Sequence, residues 1–267
     1  MSLCVVIGDD PVGRYMASQI AHGHVAASVI GLEGARPWLS SVIGSVEFVG
    51  VLEFGRFRSM LRDRNVKHLV FAGGVANSLR YPRFDRLALQ YLKRQRGFWI
   101  PHCYLQALQD MLSDKGVGPI GLNCVVDICP ELGLTSSLLA DRHRGHDAAR
   151  DVGAALGHVK GLSLRRLRQS HIVDGGRRLM SGIRSNDLLQ HFGASNDRKL
   201  AIAPVLCKIA VPPFENIVPA TIGSDTAKVA IANGVTVIVV QSGRTIVMQK
   251  DELADLAARN LLSVLVC

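Results

Sequence analysis

Short apolar strands alternate with amphipathic helices through the first half of the chain, and this alternation limits the fold more than any other feature. Leu3–Ile7 is an apolar run that ends at Gly8, and a stretch with helical spacing follows it. A second apolar run, 67–72, stops at Gly73 and Gly74. Such repeats predict an α/β fold with a parallel, doubly wound sheet. Ligands of these sheets bind at the carboxyl ends of strands, so the glycine turns are candidate binding positions.

The other predicted elements divide the chain in two. In the first half we expect strands over 25–32 and 46–52 and helices over 13–21, 54–65 and 84–96. The pattern breaks near Cys129, and a helix over 147–156 follows. Then come a hairpin around Gly175-Gly176, strands over 202–210 and 235–240, and a terminal helix over 251–260. We therefore expect an N-terminal Rossmann-like domain, residues 1–133, an α+β domain, residues 134–267, and an interdomain cleft.

The charge of the chain points to an anionic partner. Thirty-one basic residues stand against 22 acidic ones, a formal net charge of +9. Ten of the basic residues fall between 142 and 184, against three acids. A phosphate-rich ligand, a nucleic-acid face or a solvated basic surface would each account for this segment. Nucleic acid is the weakest of the three, because the segment has no aromatic residue on which a base could stack.

Cysteine spacing and the N-terminal sequence bear on the compartment. The six cysteines form no C-x-x-C pair, which favours a reduced cytosolic protein. The first residues lack the basic segment of a signal peptide, and no apolar run has the length of a membrane span. The expected location is the cytoplasm, with peripheral contact at the inner membrane and homo-oligomer formation left open.

Three local motifs have a functional and a purely structural interpretation. The turn Gly8–Gly13 resembles a dinucleotide-binding loop, but Asp10 replaces its middle glycine, and a capping aspartate at an ordinary turn explains it as well. His143 and His146 have a spacing that can serve a metal, or they lie in a solvated loop. Cys103 follows a histidine, and we interpret it as a packed structural thiol.

The C-terminal third carries the most specific pattern. Lys208 ends an apolar run, and a loop leads through Pro212 to Thr221-Ile222-Gly223 and Thr226. Upstream, a Gly73-Gly74 turn precedes Asp85, and residues 147–157 and 185–189 follow in order. Together these segments resemble the UDP-2,3-diacylglucosamine pyrophosphatases of the LpxI type, which act in lipid A biosynthesis. The resemblance spans most of the chain and is strongest after residue 203.

This resemblance implies a function and a set of site residues. The family uses a divalent metal such as Mg²⁺ or Mn²⁺ to hydrolyse the pyrophosphate of UDP-2,3-diacylglucosamine to UMP and lipid X. By resemblance, Asp187 and Glu215 would be catalytic and hold the metal. The expected substrate-binding residues are Lys208, Arg184, Thr221, Gly223, Thr226, Gly73, Gly74, Asp85 and Gly8.

Several positions depart from the family pattern and support an alternative. Val211, Phe214 and Val218 stand where the family loop carries polar or charged residues, and Arg184 replaces a glutamate. Mg²⁺ needs oxygen ligands, so these replacements weaken the expectation of metal-dependent hydrolysis. The alternative is a family member that has lost catalysis and acts as a nucleotide or sugar-phosphate binding or regulatory protein.

Overall fold

A computed structural model describes the chain as two compact units. Its described residues are 3–74, 83–95, 101–122, 124, 169–182, 184–211, 214–241 and 243–266. One unit comprises residues 1–129 together with 216–218, and the other comprises 130–215 and 219–267. The boundary expected near residue 133, the helix expected over 147–156, the pair His143 and His146 and most of the basic segment lie outside the described residues.

The first unit is built on a parallel sheet, as the strand–helix alternation predicts. Its five strands lie in the order β3-β2-β1-β4-β5, and all four neighbouring pairs are parallel. The strands are β1 Leu3–Ile7, β2 Ser28–Leu32, β3 Glu47–Val49, β4 His68–Ala72 and β5 Gly118–Pro119. The helices are α1 Pro11–Ala21, α2 Arg36–Val42, α3 Phe54–Asp63, α4 Arg86–Arg94 and α5 Pro101–Ser113.

Burial explains why the central strands are apolar along their whole length. In β1 the side chains from Cys4 to Ile7 are all buried, because both faces of a parallel sheet are covered. On one face the core joins strand residues such as Val6 and Phe71 to Leu92 and Met111 of the helices. Strand β2 is shorter than the apolar run that predicts it, because it begins at Ser28 rather than at residue 25.

The second unit contains a mixed sheet and a small parallel pair of strands. The larger sheet has the order β12-β10-β8-β6-β7, with β12, β10 and β8 parallel and β6 antiparallel to β8 and β7. The strands are β6 Ser170–Asp174, β7 Arg177–Gly182, β8 Val205–Lys208, β9 Ala220–Ile222, β10 Val237–Val240, β11 Thr245–Val247 and β12 Ser263–Val266. Strands β9 and β11 form the small pair.

Helices cover one face of this larger sheet. They are α6 Ser185–Gly193, α7 Asn196–Leu200, α8 Ser224–Ala232 and α9 Lys250–Arg259. Leu206 and Ile238 of the sheet pack with Leu189, Ala227 and Leu253 of the helices in one buried cluster. The mixed arrangement confirms the predicted α+β class for this part of the chain, and β6 and β7 confirm the predicted hairpin at Gly175-Gly176.

Candidate functional site

A buried lysine lies at the carboxyl end of β8. Lys208 is the last residue of that strand, and its residue surface is only 4% exposed. Side chains alternate between the faces of a strand, so Lys208 shares a face with Leu206, which packs against the helices. Lysine is almost never buried to this degree without a polar partner. The position therefore calls for a hydrogen-bonding environment at this edge of the sheet.

Two serines supply that environment. The Lys208 Nζ donates a hydrogen bond to the Ser170 Oγ at 3.1 Å, and the Ser170 Oγ lies 3.0 Å from the Ser185 Oγ. Ser170 is opposite Lys208 in the antiparallel register of β6 and β8. Ser185 is the first residue of α6 and is 5% exposed, whereas Ser170 is fully buried. The three groups form a continuous chain from the amine to the N-terminus of a helix.

Burial changes the protonation of the lysine. Transfer from water into the protein disfavours the charged ammonium, and it lowers the pKa of Lys208 from its ordinary 10.5 to about 7. Near neutral pH the side chain therefore exists as comparable amounts of amine and ammonium. An anion that arrives beside Lys208 would favour the ammonium form, and the neutral form can accept a proton.

The N-terminus of α6 adds further groups suited to anions. Arg184 is the N-cap residue, with an exposed side chain that makes no capping hydrogen bond to the helix. The first amides of a helix have no acceptor within it and carry a partial positive charge. Asp187 lies in the first turn, where its carboxylate is favoured by the same partial charge. The helix thus begins with Arg184 and Ser185. The Ser185 hydroxyl lies beside Ser170, which accepts a hydrogen bond from Lys208.

The backbone after β8 is fixed by neighbouring side chains. The Thr245 hydroxyl lies 3.4 Å from the Lys208 carbonyl oxygen and 3.1 Å from the Gln241 amide nitrogen, which donates to it. The Gln241 Oε1 accepts from the Ala210 amide at 3.2 Å. These contacts connect the carboxyl end of β8 to the segment after β10. They therefore hold the backbone at Lys208 in place.

Three of the predicted binding residues lie where β9 leads into α8. Gly223 is the N-cap of α8, and a Cβ there would lie 3.3 Å from the Met248 Cβ, so the backbone is closely packed. Thr226 is buried in the first turn of the helix. Thr221 is partly buried, and its hydroxyl donates to the Pro219 carbonyl at 3.3 Å. Packing, burial and this hydrogen bond give each of the three residues a structural role. Their role in substrate binding stays a prediction.

The two predicted metal ligands have separate surroundings. Asp187 is exposed on α6, while the Glu215 Oε2 lies 3.5 Å from the Arg244 guanidinium. That Glu215 oxygen is buried and has no hydrogen bond among the described residues. Across those same residues no group of three acidic, histidine or cysteine side chains is arranged to hold a metal ion. Binding of Mg²⁺ or Mn²⁺ by Asp187 and Glu215 stays a prediction from the family resemblance.

The glycine turns of the first unit meet one another at the ends of β1 and β4. A Cβ at Gly8 would lie 2.5 Å from the Gly74 carbonyl oxygen, so only glycine fits there. Asp10 caps α1 by accepting from the Gly13 amide at 2.9 Å, and it also accepts from the Gly74 amide at 2.6 Å. A carboxylate thus occupies the amide position that a phosphate takes in dinucleotide-binding loops. The capping interpretation of this turn is confirmed.

Asp85 likewise serves two helices of the first unit. Its carboxylate accepts from the Ala88 amide at 2.7 Å, which caps α4, and from the Gly55 amide at 2.5 Å in the first turn of α3. These two hydrogen bonds give Asp85 a structural role at the N-termini of α3 and α4. Its predicted role in substrate binding stays a prediction.

Sequence reasoning missed Ser170 and did not single out Ser185 as a site residue. Ser170 is 38 residues from Lys208 along the chain, and only the register of β6 against β8 brings them together. Ser185 falls in the segment that carries the family resemblance, and its position three residues before Leu188 of an apolar helix face is a helix-start signal. That signal locates the helix but says nothing about the lysine.

Two comparisons with known proteins found no match. No protein-family model matches the chain, and no curated protein matches it significantly. The resemblance to LpxI-type pyrophosphatases therefore depends only on the segments quoted above. In the part of the chain that the structure describes, no helix combines the length and apolar character needed to cross a membrane.

Proposed function

We propose that the chain binds a phosphate-bearing small molecule, of the nucleotide or sugar-phosphate class, at the N-terminus of α6. The observation that carries this proposal is the buried amine of Lys208, joined through Ser170 to the first residue of that helix. The exposed Arg184 at the N-cap and the first amides of the helix provide further donors to phosphate oxygens.

The energetics favour an anion at this position. A buried lysine loses the hydration of its ammonium form. The pKa of Lys208 is lowered because of this loss. The negative charge of a phosphate at the N-terminus of α6 would favour the charged form of Lys208. Arginine adds a planar pair of donors that matches two phosphate oxygens. Binding and protonation of Lys208 are then coupled in this account.

The binding function is preferred to metal-dependent hydrolysis because of the acidic residues. Glu215 is paired with Arg244, and Asp187 lies exposed on α6, which gives no joint ligand set among the described residues. Cleavage of UDP-2,3-diacylglucosamine stays a prediction from the family resemblance, as does contact with the inner membrane. The phosphate site is common to both alternatives.

Ligand binding to matched variants tests the proposal. UMP and glucose 1-phosphate should each raise the melting temperature of the protein, whereas uridine, which has no phosphate, should not. Lys208→Met and Arg184→Met should weaken UMP binding by about 1.5–3 kcal/mol each, the scale of a hydrogen bond to a charged group. Arg177→Met is the control, because Arg177 is an exposed arginine at the turn end of the β6–β7 hairpin, opposite Asp174.

Two outcomes would contradict the proposal. One is the absence of any stabilisation by either phosphate compound at millimolar concentration. The other is UMP binding by Lys208→Met with the affinity of the wild type. Equal losses in Arg177→Met and Arg184→Met would instead assign the binding to the general basic surface of the chain.

A further inference from the structure

The groups around Lys208 have the order of a base, a proton relay and a nucleophile. A serine hydroxyl becomes a useful nucleophile when a base within hydrogen-bond reach accepts its proton. Here the Ser185 Oγ lies 3.0 Å from the Ser170 Oγ, which lies 3.1 Å from the Lys208 Nζ. Both distances fall within hydrogen-bond reach, so a proton can pass along the chain in two steps.

Ser185 is the outer end of this chain. Ser170 is fully buried in β6, and Ser185 retains 5% exposure at the first residue of α6. The exposed residue Arg184 immediately precedes it. The first amides of α6 adjoin Ser185, where they would stabilise negative charge that develops on an attacked group. A ligand at the helix N-terminus therefore meets the Ser185 hydroxyl before either of the inner groups.

We propose that Ser185 is a nucleophile that accepts a phosphoryl group from a phosphoric ester or anhydride, with Ser170 and Lys208 as the groups that remove its proton. This inference rests on the proposed function, because it places chemistry at the same phosphate site. The arginine and helix amides favour phosphorus over carbon as the electrophilic atom, because a phosphoryl group carries several charged oxygens that such donors bind.

The step balances in atoms and charge. The Ser185 Oγ forms a bond to phosphorus as the bond from phosphorus to the leaving oxygen breaks. In the fraction of the ligand-bound protein whose Lys208 is neutral, the Ser185 proton moves to the Ser170 oxygen, and the Ser170 proton moves to the Lys208 amine. The leaving oxygen, which lies across phosphorus from Ser185, takes a proton from solvent water. A water molecule then attacks the phosphoserine and releases phosphate, with its own proton passing to solvent, while the Lys208 ammonium returns a proton through Ser170 to the Ser185 oxygen. One water is consumed for each bond cleaved.

The protein contains a matched serine without a lysine. Ser224 is the first residue of α8 and is 1% exposed, and its hydroxyl donates to the Gln249 Oε1 at 2.9 Å. Ser185 and Ser224 therefore share helix position and burial and differ in the group that receives the hydrogen-bond chain. A difference in their reactivity reports on Lys208 and Ser170 rather than on helix position.

Covalent labelling of the full chain tests the proposal. A fluorophosphonate carries a phosphorus atom with fluoride as leaving group and forms a stable ester with an activated serine. After incubation at pH 8, peptide mass spectrometry should find at least 10-fold more adduct on Ser185 than on Ser224. Ser185→Ala should remove the adduct from that peptide, with the circular dichroism spectrum unchanged.

Variants of the two inner groups separate a relay from a structural role. Ser170→Ala should slow labelling of Ser185 at least 10-fold, and Ser170→Thr, which keeps a hydroxyl, should restore most of the rate. Labelling of the wild type should rise as pH increases through about 7, where Lys208 becomes neutral. Lys208→Met should be slow and lose this rise. The other titratable side chains of β6 and α6 remain in that variant: His171, Asp174, Asp187 and His191.

Each contrary result has a defined meaning. Equal labelling of Ser185 and Ser224, or a Ser185 rate unaffected by Ser170→Ala and Lys208→Met, would overturn the proposal. If UMP still binds the wild type in that case, the phosphate site stands and only the nucleophile is lost. If Ser185 is labelled as expected but UMP and glucose 1-phosphate do not bind, the proposed function fails and the activated serine remains.

Discussion

At the scale of single residues, burial strongly lowers the pKa of Lys208. Its pKa is lowered to about 7 in the folded chain, against 10.5 as the ordinary value. Between these pH values the unfolded chain binds a proton at this side chain and the folded chain does not. The free energy of unfolding therefore gains a contribution that rises with pH over this window, and below about pH 7 the full cost of the buried charge applies.

Lys208→Met should remove this contribution. The variant is expected to be more stable than the wild type at pH 6, and the difference should shrink as pH rises from 7 to 10, by about 1.4 kcal/mol per pH unit at most. Chemical denaturation at a series of pH values measures both proteins. Lys115→Met, at an exposed lysine of the first unit, is measured alongside as the matched substitution. A flat difference for Lys208→Met would show that the buried amine is not perturbed.

At the scale of elements, the ends of β1 and β4 show why a glycine is required. The Cβ of an alanine at residue 8 would lie 2.5 Å from the Gly74 carbonyl oxygen and 2.9 Å from the Gly73 carbonyl carbon. Both neighbours are backbone atoms, so relief of the clash requires the two strand ends to move apart. Gly8→Ala should therefore destabilise the protein by about 1–3 kcal/mol, the range for overpacked cores.

A matched substitution gives the comparison. Gly118→Ala is expected to change stability by less than about 0.5 kcal/mol, because a Cβ at Gly118 has no neighbour within 4 Å. Urea denaturation monitored by circular dichroism measures both variants. If Gly8→Ala were as stable as the wild type, this result would contradict the distances between the two turns given above.

The same scale shows how far the sequence predicts structure. The strand–helix alternation predicts β1, α1 and β4 because each is a continuous apolar run or a helical period bounded by a glycine turn. Helix α5, Pro101–Ser113, is not among the elements that the sequence pattern predicts. The contact of Lys208 with Ser170 could not be predicted, because antiparallel register is set by the packing of β6 on β8 and not by local pattern.

At the scale of the whole molecule, the two units offer two candidate places for an anion. In the first unit the Asp10 carboxylate already accepts from the Gly13 and Gly74 amides. In the second unit the Ser170 and Lys208 pair contacts Ser185, the residue that follows the N-cap Arg184. A carboxylate repels a phosphate, whereas an amine and a guanidinium attract it. We therefore expect UMP to bind at the second unit, and substrate binding by Gly8, Gly73 and Gly74 stays a prediction from the family resemblance.

Hydrogen exchange separates the two places. Saturating UMP should slow amide exchange in the peptides that cover β6, β8 and the start of α6. Peptides that cover residues 3–21 and 68–74 should exchange at the same rate with and without UMP, and they are the internal control. Protection confined to the first unit would instead support a dinucleotide-like site at the Gly8 turn.

Proton uptake on anion binding tests most directly that Lys208 is the cation that receives the ligand. Sulfate suits this measurement because it does not itself titrate between pH 6 and 9. Calorimetry at pH 8.5 in buffers of different ionisation enthalpy should show close to one proton taken up per sulfate bound by the wild type, because the amine becomes an ammonium on binding. In Lys208→Met the uptake should vanish and the affinity should fall. Sulfate binding to the wild type without proton uptake would place the anion away from Lys208 and contradict the account.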